Sequence, residues 1–370
     1  MKSNLLIILL LITVGACKEG KKHNPPPGLK SIIPDSILTK IDNYLDANVD
    51  SGFSGVALLA DKGHIVFHKA YNGRGDHIDT STAFYIASNT KSFVAAAILQ
   101  LLEKKELSLF DSITRYFKNV PVDKKNITIQ NLLTHTSGLD DCECTDGETD
   151  KEKVIRSILA TGLKNTVGQK WAYANENYYL LQFIAEQVIG RSLNDHIKEN
   201  IFKPAGMIHS GFWGYENEIP VTIAPLNDSL KARPLYQKIF ANGLPKPKLG
   251  TAIFSTTRDL LNWMIALKQE KIISAAGLAS SFQPYEKALI RDVNDTALYY
   301  GYGWIPTVVK GKSVINVFHA GREDWMMNNR IYMLENGLII IVWSMDKRGP
   351  ESDAMATVLT KELVAMLENE

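Results

Sequence analysis

The stretch Phe84 to Leu102, FYIASNTKSFVAAAILQLL, is apolar on nearly every side once past Lys91. Phe93, Val94, Ala95, Ala96, Ala97, Ile98, Leu99, Leu101 and Leu102 leave no continuous polar face for water. A helix of that kind is stable only inside a large domain, surrounded by other elements. It places Ser88 and Lys91 where the buried helix begins. Residues three apart on a helix share a face, so the hydroxyl and the amine can meet. A lysine amine free in water titrates near 10.4 and holds its proton at neutral pH, but desolvation lowers that value and frees the lone pair. Ser88 also stands at the amino end of the helix, where unpaired amides and the dipole favour developing negative charge. A nucleophile beside a base is one reading. A capping serine with a surface lysine is the other, and S-x-x-K alone does not separate them.

The elements around this helix arrive in a telling order. Pro34 to Val49 carries Ile37, Ile41, Leu45 and Val49 on one helical face. Phe53–Ala60 and His64–Tyr71 are apolar runs about the turn Asp61-Lys62-Gly63 and predict a hairpin. His64 and His68 point the same way on that strand but lie roughly 13 Å apart, too far to share an ion. The middle of the chain reads as mostly helical, with a short helix over Ile127–Leu139 ending at Gly138 and further helices near 149–160, 175–190 and 193–201. Strand signals return at Gly301–Val309, Ser313–Phe318, Asn328–Leu334 and Leu338–Ser344, before a terminal helix from about Asp353 to Glu368. Strands at both ends must meet. The economical solution is an α+β fold, an antiparallel sheet flanked by helices with an inserted all-α subdomain. The expected division is an α/β part at about 34–87 and 250–370 and a mostly α part at about 88–249. The site is expected in the cleft between them.

Lys2 precedes the apolar run Leu5–Val14, which ends in Gly15-Ala16-Cys17, the pattern of a signal peptide over residues 1–16. The run is too short to span a bilayer. Val14-Gly15-Ala16-Cys17 resembles the bacterial lipobox, which makes Cys17 the expected lipidated first residue of an exported protein, periplasmic or at the cell surface. Residues 17–33, with the segment KEGKKHNPPPG, would be the linker to the membrane anchor. Lys+Arg 41 against Asp+Glu 40 leaves no field to recruit nucleic acid. Cys142 and Cys144 lie in the acidic stretch DDCECTDGE, where their spacing makes a relaxed disulfide awkward and no nearby histidine completes a metal set; an exposed loop is expected.

Two further stretches offer polar groups. Gly168–Asn175 (GQKWAYAN) presents Tyr173, able to shuttle protons, and Asn175, able to orient a substrate amide, unless these are only a packing turn and a helix cap. Phe318-His319-Ala320-Gly321-Arg322 closes a strand on which Gly321 admits another backbone and His319 can donate to a bound oxygen. Other hydrolase and phosphate-loop motifs are absent from the sequence.

With these three stretches in order, the chain resembles the serine β-lactamase and penicillin-binding-protein superfamily. Within it, the likeness is to the class C-like branch of serine esterases, D-stereospecific aminopeptidases and DD-peptidases. S-x-x-K is Ser88-Asn89-Thr90-Lys91, Y-x-N is Tyr173-Ala174-Asn175, and H-x-G is His319-Ala320-Gly321. NLLTHTSGL, FSTTRDLLNWMIAL and YGYGW are further landmarks, and the likeness runs from about Ile37 to Leu367. The resemblance implies Ser88 as acylated nucleophile and Lys91 as its activating neighbour. Tyr173 would be the proton shuttle, Asn175 and His319 substrate-binding, and the backbone amides of Ser88 and Arg322 an oxyanion hole. It implies no metal and no cofactor.

The expected function is a serine hydrolase acting on an ester, a D-amino-acid amide or a peptidoglycan-type peptide. A class C-like β-lactamase, a DD-carboxypeptidase and a weakly catalytic penicillin-binding sensor are the alternatives. Arg322-Glu323-Asp324-Trp325 stands where the family often carries glycines, so a bulky, charged cleft floor is expected. His319 is mostly neutral at pH 7 where a third-motif lysine would be charged, and Glu323 and Asp324 would offset Arg322, which favours substrates without a carboxylate.

Overall fold

The computed structural model describes residues 33–73, 77–142, 148, 150–213, 218–222, 253–323, 327–345 and 355–368. The signal segment, Cys17, the linker up to residue 32 and Cys144 lie outside the described residues.

Eight strands form one antiparallel sheet, β1 (Ser54–Asp61), β2 (His64–Asn72), β6 (Leu289–Val293), β7 (Thr296–Tyr299), β8 (Ile305–Val309), β9 (Val314–Glu323), β10 (Met327–Leu334) and β11 (Ile339–Met345), in the order β2-β1-β11-β10-β9-β8-β7-β6. The N-terminal hairpin therefore joins the C-terminal strands through β1 and β11, with Val56 opposite Trp343 and Leu58 opposite Ile341. Both strands are buried along their whole lengths. Helices cover both faces, which is why these strands read as continuous apolar runs. On one face, Ile37, Ile41 and Leu45 of α1 (Asp35–Ala47) pack with Leu359 and Leu363 of the C-terminal helix Met355–Glu368 onto Leu59, Ile340 and Val342. On the other, Leu58, Ala60, Ile339 and Ile341 join the core around α2 (Thr90–Glu103) and the helix Thr257–Lys268.

Between β2 and β6 the chain is largely helical, with α3 (Ile129–Leu133), α4 (Lys151–Ala160), α5 (Asn175–Ile189) and α6 (Leu193–Ile197). A second sheet of three very short strands, β3 (Phe84–Tyr85), β5 (Ile253–Ser255) and β4 (Gly211–Phe212), braces the entry to the Ser88 turn. Phe84 stacks on Trp343 of the main sheet at 3.6 Å between centroids.

Three local expectations are corrected. The helix expected to run to Gly138 stops at Leu133. Thr128 and Asn131 make a reciprocal capping box at its start, and His135 then takes a left-handed φ of 53° that ends it. Strand β8 begins at Ile305, not Gly301. A Cβ on Gly303 would lie 2.8 Å from Ser92 Cα, so this glycine lies directly on α2 in a loop. The sheet also extends further than expected, through the hairpin β6–β7, whose turn Asn294-Asp295 has φ of 51° and 60°. Two left-handed residues match the twist of a tight hairpin, and Asn and Asp tolerate them.

Cys142 is half-buried and disulfide-bonded, contrary to the expected free thiol in an exposed loop. The loop is partly anchored, because the Cys142 amide donates to the buried Glu176 Oε1 at 3.3 Å. The other half of that disulfide lies outside the described residues.

Candidate active site

Ser88 lies in a single 3-10 turn, Ala87–Asn89, that feeds α2. Ala87 has φ of 46°, a conformation costly for a residue with a Cβ. The turn holds Ser88 half-exposed while Asn89, Thr90 and Lys91 are buried. Lys91 is fully buried at the base of the turn. Its Nζ donates to Ser88 Oγ at 3.1 Å and to Asn175 Oδ1 at 2.7 Å. It also lies 5.0 Å from the centroid of the Tyr173 ring and 5.8 Å from that of Tyr178, so two phenol faces would favour the amine in its protonated form. Ser88 Oγ is 2.8 Å from Tyr173 OH. The hydroxyl thus sits between two groups within proton-transfer distance.

Asn175 is the first residue of α5 and does not cap it. Its backbone N and Nδ2 face Asp141 Oδ1 at 3.5 and 3.3 Å, which fixes the amide so that Oδ1 points at Lys91. Next to it Glu176 is buried, and desolvation followed by the Asp141 charge raises its carboxyl to about 7.

The third stretch arrives on β9, and its two expected contributions differ. Gly321 meets its expectation. A Cβ there would lie 2.1 Å from Ile86 O and 2.6 Å from Asn329 Nδ2, so only glycine lets β9 run this close to the Ser88 turn. His319 is buried, with Nε2 2.9 Å from Tyr300 OH. Burial and then the Lys91 charge push its pKa down to about 3. It is therefore a neutral imidazole. Ala320 is half-buried and alternates to the opposite face of the strand. Arg322 is exposed at the end of β9. The side chains expected to floor the cleft beyond it, from Glu323 to Trp325, lie outside the described residues.

Several polar residues at this site carry no chemistry when read from the sequence. Asn329 Nδ2 donates to Ile86 O at 3.2 Å, and the buried Asn89 carboxamide meets Asn329 Oδ1. Turned over, the Asn89 carboxamide donates to His319 O and accepts from Gly321 N, both at 3.2 Å. Either way the pair joins the Ser88 turn to β10, and in the second orientation to β9 as well. His135, inside NLLTHTSGL, stacks on Tyr173, and Tyr300 opens the YGYGW landmark. The landmarks mark these stretches, but their contacts span too much of the chain to be read locally.

Among the described residues no group of three or more His, Cys, Asp or Glu is placed to hold a metal ion, and no helix is long and apolar enough to cross a membrane.

The family model described as Beta-lactamase matches residues 41–365. PbpX of Bacillus subtilis (strain 168) is 38% identical over 206 residues, covering 54% of this chain and 51% of that protein. Penicillin-binding protein 4* of the same organism is 29% identical over 280 residues, 68% of this chain and 59% of its own length. The chain thus spans about half the length of the curated relatives it matches. Among solved structures, D-amino acid amidase from Ochrobactrum anthropi SV3 superposes with a TM-score of 0.71 at 21% identity, over 90% of this chain and 99% of that one. The octameric penicillin-binding protein homologue from Pyrococcus abyssi gives 0.72 at 21% identity, over 90% and 78%. At those identities the structures speak for the fold, and the family match extends over nearly the whole described chain: this protein belongs to the Beta-lactamase family, within the serine β-lactamase and penicillin-binding-protein superfamily.

Proposed function

We propose that the protein is a serine hydrolase working through an acyl-enzyme on Ser88. The observation that carries this reading is the hydrogen-bonded set in which Ser88 Oγ meets both Lys91 Nζ (3.1 Å) and Tyr173 OH (2.8 Å). Ser88 Oγ attacks the substrate carbonyl carbon and passes its proton into the Lys91–Tyr173 pair. The tetrahedral oxyanion is held by the backbone amides of Ser88 and Arg322, each donor of this kind being worth about 3 kcal/mol. Tyr173 protonates the departing alkoxide or amine, the ester or amide bond breaks, and Ser88 is left acylated. Water then attacks with its proton going to the same pair, the acid leaves and the proton returns to Ser88 Oγ. Asn175, held by Asp141, orients Lys91 and the substrate carbonyl.

For the substrate class, the reading rests on the neutral His319. Engaged with Tyr300 and discharged to about pH 3, it offers no cation to a substrate carboxylate. This supports short esters or D-amino-acid amides, and the amidase fold neighbour agrees with it. A second reading, a class C-like β-lactamase or DD-carboxypeptidase, draws on the penicillin-binding and carboxypeptidase names of the relatives and on the exposed Arg322 as an alternative cation. Export and lipid anchoring through Cys17 complete the proposal.

A fluorophosphonate probe should label the wild type and not Ser88→Ala; equal labelling of both, or of neither, would end the acyl-enzyme reading. On a panel of p-nitrophenyl esters, D-aminoacyl anilides, D-Ala-D-Ala peptides and nitrocefin, esters or anilides should give the highest kcat/KM. Nitrocefin at the top would replace this substrate class with the β-lactamase reading.

A further inference from the structure

We infer that His135 is the positioning residue for Tyr173, a neutral clamp that aims the phenol at Ser88; the inference rests on the acyl-enzyme reading above. Three contacts grip the Tyr173 segment. His135 O accepts the Ala172 amide at 2.9 Å, and His135 Nδ1 faces the Ala174 amide at 3.3 Å. The imidazole stacks on the Tyr173 ring between them, at 4.5 Å and 27°. Backbone on both sides and the ring plane are thereby fixed, leaving the OH 2.8 Å from Ser88 Oγ. The left-handed φ of 53° at His135 lets its carbonyl and its ring face the same segment.

The tautomer follows from the neighbours. Ser137 Oγ donates to Asn177 Oδ1 at 2.5 Å, and Asn177 Nδ2 donates to Ala174 O at 3.1 Å, so the Asn177 amide is oriented. Its Nδ2, 3.0 Å from His135 Nδ1, is therefore a donor, as is the Ala174 N–H. Nδ1 must accept from both, which puts the ring proton on Nε2. A second proton on Nδ1 would face two N–H groups and break the clamp. The ring is fully buried, and desolvation together with the Lys91 charge holds it neutral. Tyr300 crosses its edge at 4.5 Å and 84° while its own OH bonds His319. One phenol thus backs both imidazoles of the site.

The test separates the acceptor from the stack. His135→Phe keeps a flat ring behind Tyr173 and loses the acceptor. His135→Asn keeps an acceptor near the place of Nδ1 and loses the ring. A shift of the Tyr173 hydroxyl by about 1 Å costs on the order of 100-fold in rate. His135→Phe should therefore lower the single-turnover acylation rate by roughly 10- to 100-fold with KM changed less than about threefold, and His135→Asn should recover part of that loss. Crystal structures of both variants provide a readout that needs no activity, and should show the Tyr173–Ser88 hydroxyl contact lengthened in His135→Phe. Side-chain nitrogen NMR of the wild type should show the Nε2–H tautomer. Unchanged Tyr173 geometry in both variants, or an Nδ1–H tautomer, would overturn the inference. Loss of Ser88 labelling in the wild type would instead overturn the acyl-enzyme reading.

Discussion

Gly321→Ala tests whether the site depends on how closely β9 lies against the nucleophile turn. A methyl group at this position would be 2.1 Å from Ile86 O, whereas real Cβ contacts essentially never fall below 3.0 Å, so about 0.9 Å of separation must open. The obstructing atom is backbone and cannot rotate away. Asn329 Nδ2, at 2.6 Å, blocks retreat along the strand because it is itself bonded to Ile86 O. The displacement falls between the two amides assigned to the oxyanion, those of Ser88 and Arg322. Complete loss of one donor costs about 100- to 1000-fold in kcat, which bounds the effect of moving it. Overpacking adds about 1 to 3 kcal/mol of instability, which a domain of this size survives. The assay is steady-state and single-turnover kinetics with the best ester, beside thermal unfolding. Gly162→Ala serves as control, since a Cβ there meets nothing within 4 Å. A folded Gly321→Ala enzyme with kcat within about threefold of wild type, as the control should be, would refute the reasoning.

Lys91→Ala should lower kcat and kcat/KM together by about 100- to 10,000-fold, because a proton carrier acts in the transition state; a normal kcat would make Lys91 structural. His319→Lys should raise kcat/KM for nitrocefin relative to esters by restoring a cation, and no change would remove the charge argument for substrate class. His319, at about 3 when folded against 6.5, takes up its proton more readily in the unfolded chain, so its stabilisation is full above pH 6.5 and is lost as pH falls towards 3, at up to about 1.4 kcal/mol per pH unit. Glu176, about 7 when folded against 4.5, acts with the opposite sign: its contribution is full below pH 4.5 and lost as pH rises through 7. Glu176→Gln should therefore steepen the rise of urea-derived stability with pH between 4.5 and 7 by about 1.4 kcal/mol per pH unit, and an unchanged slope would contradict this assignment. Cys17→Ser should release the protein from membranes with its fold intact, and unchanged membrane association would remove the lipoprotein proposal.

What the sequence discloses follows from how burial is written in it. Helix α2 and strands β1 and β11 are legible because burial on all sides demands uninterrupted apolar residues, and no surface element needs that. Ser88 and Lys91 are legible because they interrupt such a run at helical spacing. The β6–β7 hairpin carries a readable signal in Asn294-Asp295, but its strands are exposed, so their composition resembles a loop. Asn89 and Asn329 are a harder case. A buried carboxamide looks like a surface one until the fold brings the two together across 240 residues, and no local period records that. His135 is hidden for the same reason. Its chain neighbours predict a continuing helix, whereas its partners lie in the segment 172–177 and at Tyr300.

The same physics links the hidden residues to the legible ones. Burying Lys91 beside Ser88 sets a positive charge, whenever the amine holds its proton, where water cannot screen it, and that charge reaches both imidazoles of the site. Neutral histidines follow, one accepting hydrogen bonds behind Tyr173 and one engaged by Tyr300. A cation in the third stretch would have to form against that field, so on the proposed reading recognition of a substrate carboxylate would fall to a group nearer water, for which Arg322, exposed at the end of β9, is the candidate. On the proposed reading, Arg322→Ala should weaken carboxylate-bearing substrates through KM while leaving kcat for neutral esters within about threefold, with the backbone amide at this position kept in place. A matching loss of kcat on both substrate classes would show that the side chain serves the oxyanion hole itself.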